Sequence, residues 1–284
     1  MEKQQTIKQA IKIEGIGLHL GQIVTMVLKP AEVGHGIVFR RVDLNPSVDV
    51  PISVNGIQEA LLCSALVKDN VQISTVEHLM SALCMLKVDN LLVEINSDEL
   101  PVMDGSSEPF LEAIEAVGLI QQDQPRQLIK VLKAVRVEHQ DKFAEVMPCD
   151  QTNYRFEIQW DHPVIASTPS VVEFDGRYDW YKKEVSRART FGMVAELDYL
   201  HANNRAKGAS LDNAVGITDE GVMNEEGLRY KDEFVKHKLL DAIGDFYVGG
   251  AIIGCFNCYK SGHHLNNMLL RKLYQDPSNY KILS

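Results

Sequence analysis

The chain has no excess of basic residues. Lys and Arg total 29 against 39 Asp and Glu, a formal net charge of -10 over 284 residues. A general nucleic-acid binder would present a basic face, so that class is set aside, although a few local lysines could still meet a phosphorylated small substrate. Long apolar runs are also missing. None approaches the roughly 18 residues of a membrane span. The start, MEKQQTIKQ, lacks the apolar core of a secretory signal. Cysteines are few and odd in number: Cys63, Cys84, Cys149, Cys255 and Cys258. Most lie in apolar company, which suits a reducing cytoplasm better than a disulfide framework. Cys255 and Cys258 form a CxxC without a second one, and in a strand-like run they read as core thiols rather than a zinc knuckle. No Ser- or Gly-rich linker appears. With 45% hydrophobic and 24% charged residues, the composition is that of one large globular domain or two ordinary ones.

The most informative stretch that is present is KDEFVKHKLLDAIGDFYV, residues 231–248. Apolar residues from Phe234 to Tyr247 cover most of the circumference of a helix. Against them His237, Asp241 and Asp245 recur four residues apart, on one helical face. Burying one imidazole and two carboxylates without partners is costly. The stripe is therefore either a solvated face or a metal site, since His and Asp at i and i+4 can reach one cation. Two ligands do not complete such a site.

Before it, strands dominate the first seventy residues. GIGLHLG, residues 15–21, contains only a lone GxG with no helix after it, so a tight strand connection is favoured over a phosphate loop. At Ser74 a buried helix begins, STVEHLMSALCMLKVDN, with Ser74 as N-cap and Glu77 fitting a capping box. A strand (91–95), the polar loop PVMDGSSEP and a helix closed by Gly118 follow. The same order of buried helix, strand, polar loop and helix returns at 231–275, the last helix being 266–274. This pattern suggests two similar α+β halves, each a sheet with a helix pair on one face. The boundary falls near residue 124, giving domains 1–124 and 125–284. Packing the two helical layers face to face would bring Glu77 and His78 to His237 and Asp241 and supply a third ligand.

With these residues assembled, the chain resembles the UDP-3-O-acyl-N-acetylglucosamine deacetylase family, zinc amidases of lipid A synthesis. The resemblance runs over nearly the whole chain. It rests on GIGLH (15–19), RRVDLNP (40–46), ISTVEHL (73–79), DGSSEPF (104–110), SRARTFG (186–192), HKLLDAIGD (237–245) and YKSGHHLNN (259–267). It implies a fold of two α+β domains with helical layers sandwiched between sheets. It also implies a small βαβ insert in the second domain, about 193–223, forming a tunnel for an acyl chain. One Zn2+ is implied on His78, His237 and Asp241. Glu77 is then the general base, His263 the acid, Asp245 its partner, and Thr190 a group at the reacting carbonyl. Lys238, Phe191, Lys142, His19 and Cys63 are implied as substrate-binding. The implied reaction is hydrolysis of an N-acetyl group on an acylated UDP-sugar by a cytoplasmic enzyme, expected as a monomer. Membrane contact would be at most peripheral, through the acyl chain of the substrate.

Two departures from the family pattern stand out. His264 occupies a position usually held by a small residue, and the segment from Asp245 to His263 is one residue short. The shortening is expected near 249–251. His263 should then face inward and His264 should be exposed or sit at a helix end. Two other readings compete: a metal hydrolase acting on a different amide or a phosphoester, and a zinc-stabilised module that binds an acylated sugar. The presence of Glu77 and His263, neither required to build a metal site, counts against the second.

Overall fold

A computed structural model describes residues 2–284. Its helices are α1 (Glu77–Met85), α2 (Glu108–Val117), α3 (Pro163–Ala166), α4 (Tyr178–Glu184), α5 (Leu197–Ala202), α6 (Glu233–Tyr247) and α7 (His263–Gln275). The two largest sheets have five strands each and identical topology. The first runs Ile11–Ile16, Ile23–Pro30, Leu91–Ile95, Ile37–Arg41, Val48–Pro51. The second runs Val135–His139, Lys142–Met147, Cys255–Tyr259, Asn153–Glu157, Val171–Phe174. In each, the middle strand is parallel to the fourth, and every other neighbouring pair is antiparallel. That middle strand arrives from a buried helix (α1 or α6) and leaves into a second helix (α2 or α7). The repeat expected from the sequence is thus a repeat of fold, and the chain is α+β with two similar two-layer units.

Alternation sets which face each sheet buries. Val24, Met26 and Leu28 point inward from one strand, and Val93 on the strand beside it lies opposite Phe39 on the next. In the second sheet Tyr154, Phe156, Phe256 and Cys258 do the same. Cys258 is therefore a core thiol, while Cys255 is half-buried, and all five cysteines are free. The helical layers meet where α1 crosses α6. A Cβ added to Gly244 would lie 2.0 Å from the Glu77 carbonyl oxygen, so only glycine permits this approach. Both helices are buried nearly all round, which explains why their sequences show apolar residues on every side.

Residue 124 falls inside the strand Leu119–Pro125, which pairs with Lys3–Ile7. The next strand, Leu128–Val131, pairs with Ala251–Ile253 and Tyr280–Leu283. A three-stranded meander, Ile57–Ala60, Cys63–Lys68 and Val71–Ser74, leads into α1. Between α4 and α6, Phe191–Met193 and Val215–Thr218 pair in parallel with α5 between them, and Gly221–Val222 closes the small sheet. This is the βαβ insert, beginning two residues before the expected start. No helix among the described residues is long and apolar enough to cross a membrane.

Ser74 does not cap α1. It ends a strand, and its hydroxyl donates to the Asp98 carbonyl at 3.0 Å. The helix starts after Val76 without a side-chain cap. Glu77 is drawn instead to the Ser64 backbone N–H, since pairing with the 98–99 segment already holds Ser74. The last helix begins at His263 rather than 266, with Gly262 as its N-cap residue.

Candidate active site and metal centre

The first turn of α1 and the middle of α6 face each other across the Gly244 contact. Glu77, His78, His237 and Asp241 are each about 3% exposed, so the stripe on α6 is not a solvated face. His78 Nε2 lies 3.5 Å from Asp241 Oδ1, and His237 Nε2 lies 3.4 Å from the same oxygen. The two imidazoles meet edge to face, centroids 5.1 Å apart. His237 Nδ1 is 3.0 Å from the Ala188 carbonyl, which fixes the proton there and leaves the Nε2 lone pair free. Burial pushes the His237 pKa down to about 3, so its imidazole is neutral, as a ligand requires. Lys238 donates to Asp241 Oδ2 at 2.6 Å. Asp241 Oδ1, buried and facing both histidines, has no hydrogen-bond partner among the described residues. An orphaned carboxylate oxygen between two imidazole nitrogens is the pattern a cation resolves. His78, His237 and Asp241 offer ligand atoms all within 4.8 Å of one another and can hold a metal ion.

A second cluster adjoins the first. His263 Nδ1 is 2.9 Å from Asp245 Oδ2, and its Nε2 lies 3.8 Å from Glu77 Oε1. Asn266 Nδ2 donates to Asp245 Oδ2 at 2.8 Å, and Ser64 Oγ to Oδ1 at 2.6 Å. Ser261 Oγ donates in turn to Asn266 Oδ1. Burial alone would lower the His263 pKa, but the Asp245 and Glu77 carboxylates outweigh it and raise the value to about 9. Burial raises Glu77 to about 7, partly offset by His263 and His78. A carboxylate poised near neutrality beside an imidazolium is an acid–base pair. His264, by contrast, is exposed and pairs with Glu59 at 3.1 Å. Between Asp245 and His263, where Gly250 turns with φ +92°, it is His263 that the chain brings inward.

These groups open on one cavity of about 1080 Å³. Glu77, His78, His237, Lys238, Asp241 and His263 line it, as do Thr190, Phe191, Lys142 and His19. Asp245 lies behind His263. Cys63 is buried outside the lining, its thiol pushed up to about 12 by burial. Thr190 is held in the cavity wall by its own N–H to the Gly105 carbonyl and by the Val215 N–H to its carbonyl, both 2.8 Å. Phe191 packs edge-on against Phe234 and His237 and meets Trp160 at 5.6 Å. The insert contributes an apolar wall, including Met193, Leu197, Leu200 and Leu211. Sequence reasoning missed Ser64, Asn266, Ser261, Trp160 and the Ala188 carbonyl. Only Asn266, one helical turn after His263, carried a positional signal; the others come from separate elements.

Comparison with known proteins finds relatives over nearly the whole chain. The model of the family described as UDP-3-O-acyl N-acetylglycosamine deacetylase (LpxC) matches residues 4–275. A Francisella tularensis subsp. tularensis (strain WY96-3418) protein named UDP-3-O-acyl-N-acetylglucosamine deacetylase is 58% identical over 279 residues, covering 97% of this chain and 98% of the relative. One of the same name from Acinetobacter baumannii (strain ATCC 17978) is 50% identical over 285 residues, covering 100% and 95%. The chain belongs to the UDP-3-O-acyl N-acetylglycosamine deacetylase family.

Proposed function

We propose that this chain is a zinc-dependent amidase that removes the acetyl group from UDP-3-O-acyl-N-acetylglucosamine, in the cytoplasm, as a step of lipid A synthesis. The observation that carries the reading is the buried His78–His237–Asp241 group, with Glu77 and His263 beside it on one cavity. The donor set, two imidazoles and one carboxylate, suits zinc, leaving a fourth position for water. When bound there, zinc supplies Lewis acidity and a water acidified toward neutral pH.

The remaining steps belong to the chain's own residues. Glu77 accepts a proton from the attacking water as the water oxygen bonds to the acetamide carbon. The Thr190 hydroxyl and the Lys238 ammonium, both in the cavity wall, donate to the carbonyl oxygen as it gains charge. His263 gives its Nε2 proton to the departing nitrogen, since an amide anion is a very poor leaving group. Asp245 holds the imidazolium through Nδ1. The C–N bond breaks, and acetate and the free amine result. Lys142 would meet the diphosphate, Phe191 and Trp160 the rings, and the insert wall the acyl chain. His19 would line the passage, and Cys63 would back it from behind. Residues 1–124 and 125–284 would form the two domains, acting as a monomer.

The test is release of acetate from the acylated UDP-sugar by purified protein loaded with zinc. Binding of that sugar without any acetate release would leave only a binding module, and activity on phosphoesters instead would move the chain to another hydrolase chemistry.

A further inference from the structure

The GIGLH segment reads in the sequence as a tight strand connection, and of its residues only His19 enters the proposed function. In the structure it wraps a carboxylate. Glu99 is completely buried, yet among the described residues no Lys or Arg forms an ion pair with it. Its oxygens accept the His19 N–H at 2.7 Å and the Leu20 N–H at 2.8 Å. The Thr75 hydroxyl donates to Oε1 at 3.3 Å. Gly17 makes room: a Cβ there would sit 2.5 Å from Glu99 Oε2. The backbone around Glu99 is fixed as well, because Ser74 N–H bonds to Asp98 O and Leu100 N–H to Ser74 O. Ser74 leads directly into the turn before α1.

The loop that Glu99 holds is the seat of the insert. Lys207 N–H donates to His19 O and Gly208 N–H to Leu18 O, both at 3.0 Å. Gly208 is so close that a Cβ would meet Gly17 O at 2.2 Å. Leu18 and His19 line the cavity, as do Leu200, Ala206 and Ala209 of the insert. A chain of hydrogen bonds therefore runs from the start of α1 through Glu99 to residues 17–20 and on to residues 207–208. A buried carboxylate satisfied only by N–H and O–H donors is worth keeping when it fixes geometry, because leaving such a group unpaired is costly.

We propose that Glu99 is a positioning residue that sets selectivity for the acyl chain by docking the insert against the 17–20 loop. This rests on the reading that the insert wall takes that chain. The Glu99→Gln variant keeps one acceptor and turns an NH2 toward a backbone N–H. Gly17→Ala pushes the carboxylate away from the other side and leaves Glu99 intact. Neither residue belongs to the metal or acid–base groups.

The experiment measures kcat/KM for the 3-O-acylated UDP-sugar and its non-acylated counterpart in wild type, Glu99→Gln and Gly17→Ala, all loaded with zinc. Amide hydrogen exchange is followed on the same samples. Both variants should lower the acylated to non-acylated ratio roughly tenfold, about the worth of one charge-assisted hydrogen bond. The non-acylated rate and the zinc content should hold. Faster exchange at the amides of residues 19, 20, 207 and 208, with α1 unchanged, should accompany this. An unaltered ratio with faster exchange, or equal losses on both substrates, would overturn the selectivity role; unaltered exchange would overturn the docking role. If the wild type itself ignores the acyl chain, the passage reading fails. The exchange data then still decide whether Glu99 docks the insert.

Discussion

Two histidines stand side by side at residues 263 and 264, and the structure separates them. His263 is buried between Asp245 and Glu77, whereas His264 is exposed beside Glu59. His263→Ala should therefore cut kcat by roughly 10²–10⁴, the usual worth of a general acid, with zinc retained. His264→Ala should leave kcat near wild type. Steady-state kinetics of the two variants side by side decide it, and a dead His264→Ala would reverse the assignment. The pH dependence follows from the same groups. Glu77 must be deprotonated to act as base, and burial raises its pKa to about 7. A bound cation nearby favours the carboxylate, so activity should fall on the acid side at or below about pH 7. His263 must be protonated, and its carboxylate neighbours raise it to about 9, so activity should fall again above that. In His263→Ala the alkaline limb should vanish from the pH–rate profile. The residues of this pair were legible in the sequence because each sits in a long, ordered motif. Ser64, which holds Asp245 together with Asn266, was not, because a hydrogen bond between separate elements leaves no local spacing to read; Asn266 had its spacing from His263 as the one local mark.

The central helices show what an element gains from one residue. An exposed helical Gly→Ala change normally stabilises by about 1 kcal/mol. At Gly244 the sign should reverse, because the new methyl would meet the Glu77 carbonyl at 2.0 Å and a backbone atom cannot swing aside. Gly244→Ala should cost about 2 kcal/mol or more through overpacking, read as a lower urea midpoint. Gly192→Ala, where a Cβ meets nothing within 4 Å, should be nearly neutral by the same measurement. Equal stability of the two variants would show that α1 and α6 do not cross as closely as described. The buried character of both helices was readable from their all-round apolarity, but Ser74 misled. Its spacing to Glu77 matches a capping box, yet strand pairing with the 98–100 segment claims it first. The insert is the other element with a consequence. Its wall is apolar, and each buried methylene is worth about 0.8 kcal/mol. A substrate without the acyl chain should accordingly lose several powers of ten in kcat/KM, and equal rates on both would leave the insert with no part in binding.

At the scale of the molecule, the candidate metal group bridges the repeat. His78 comes from the first half, His237 and Asp241 from the second. The duplication could be read from the order of elements because helix and strand periods are local properties. The pairing of Lys3–Ile7 with Leu119–Pro125 could not, since strands so far apart carry no shared local mark. A ligand that binds only the folded state stabilises it by RT ln(1 + [L]/Kd), about 4 kcal/mol at a thousandfold excess over Kd. At roughly 2 °C per kcal/mol for a chain of this size, zinc should raise Tm by roughly 8 °C over the chelator-treated protein. His237→Ala and Asp241→Ala should abolish most of that rise and most of the bound metal. The informative variant is His78→Ala. If the metal ties the two halves together, this single change in the first half should erase the shift as fully as either change in the second. The metal-free Tm should move little, because the α1–α6 contact at Gly244 does not depend on the imidazole. Thermal scans with and without chelator, with metal content measured on the same samples, separate the cases. A His78→Ala protein that kept the full zinc-dependent rise would mean the cation is held by the second half alone, and the bridge between the halves would be packing only.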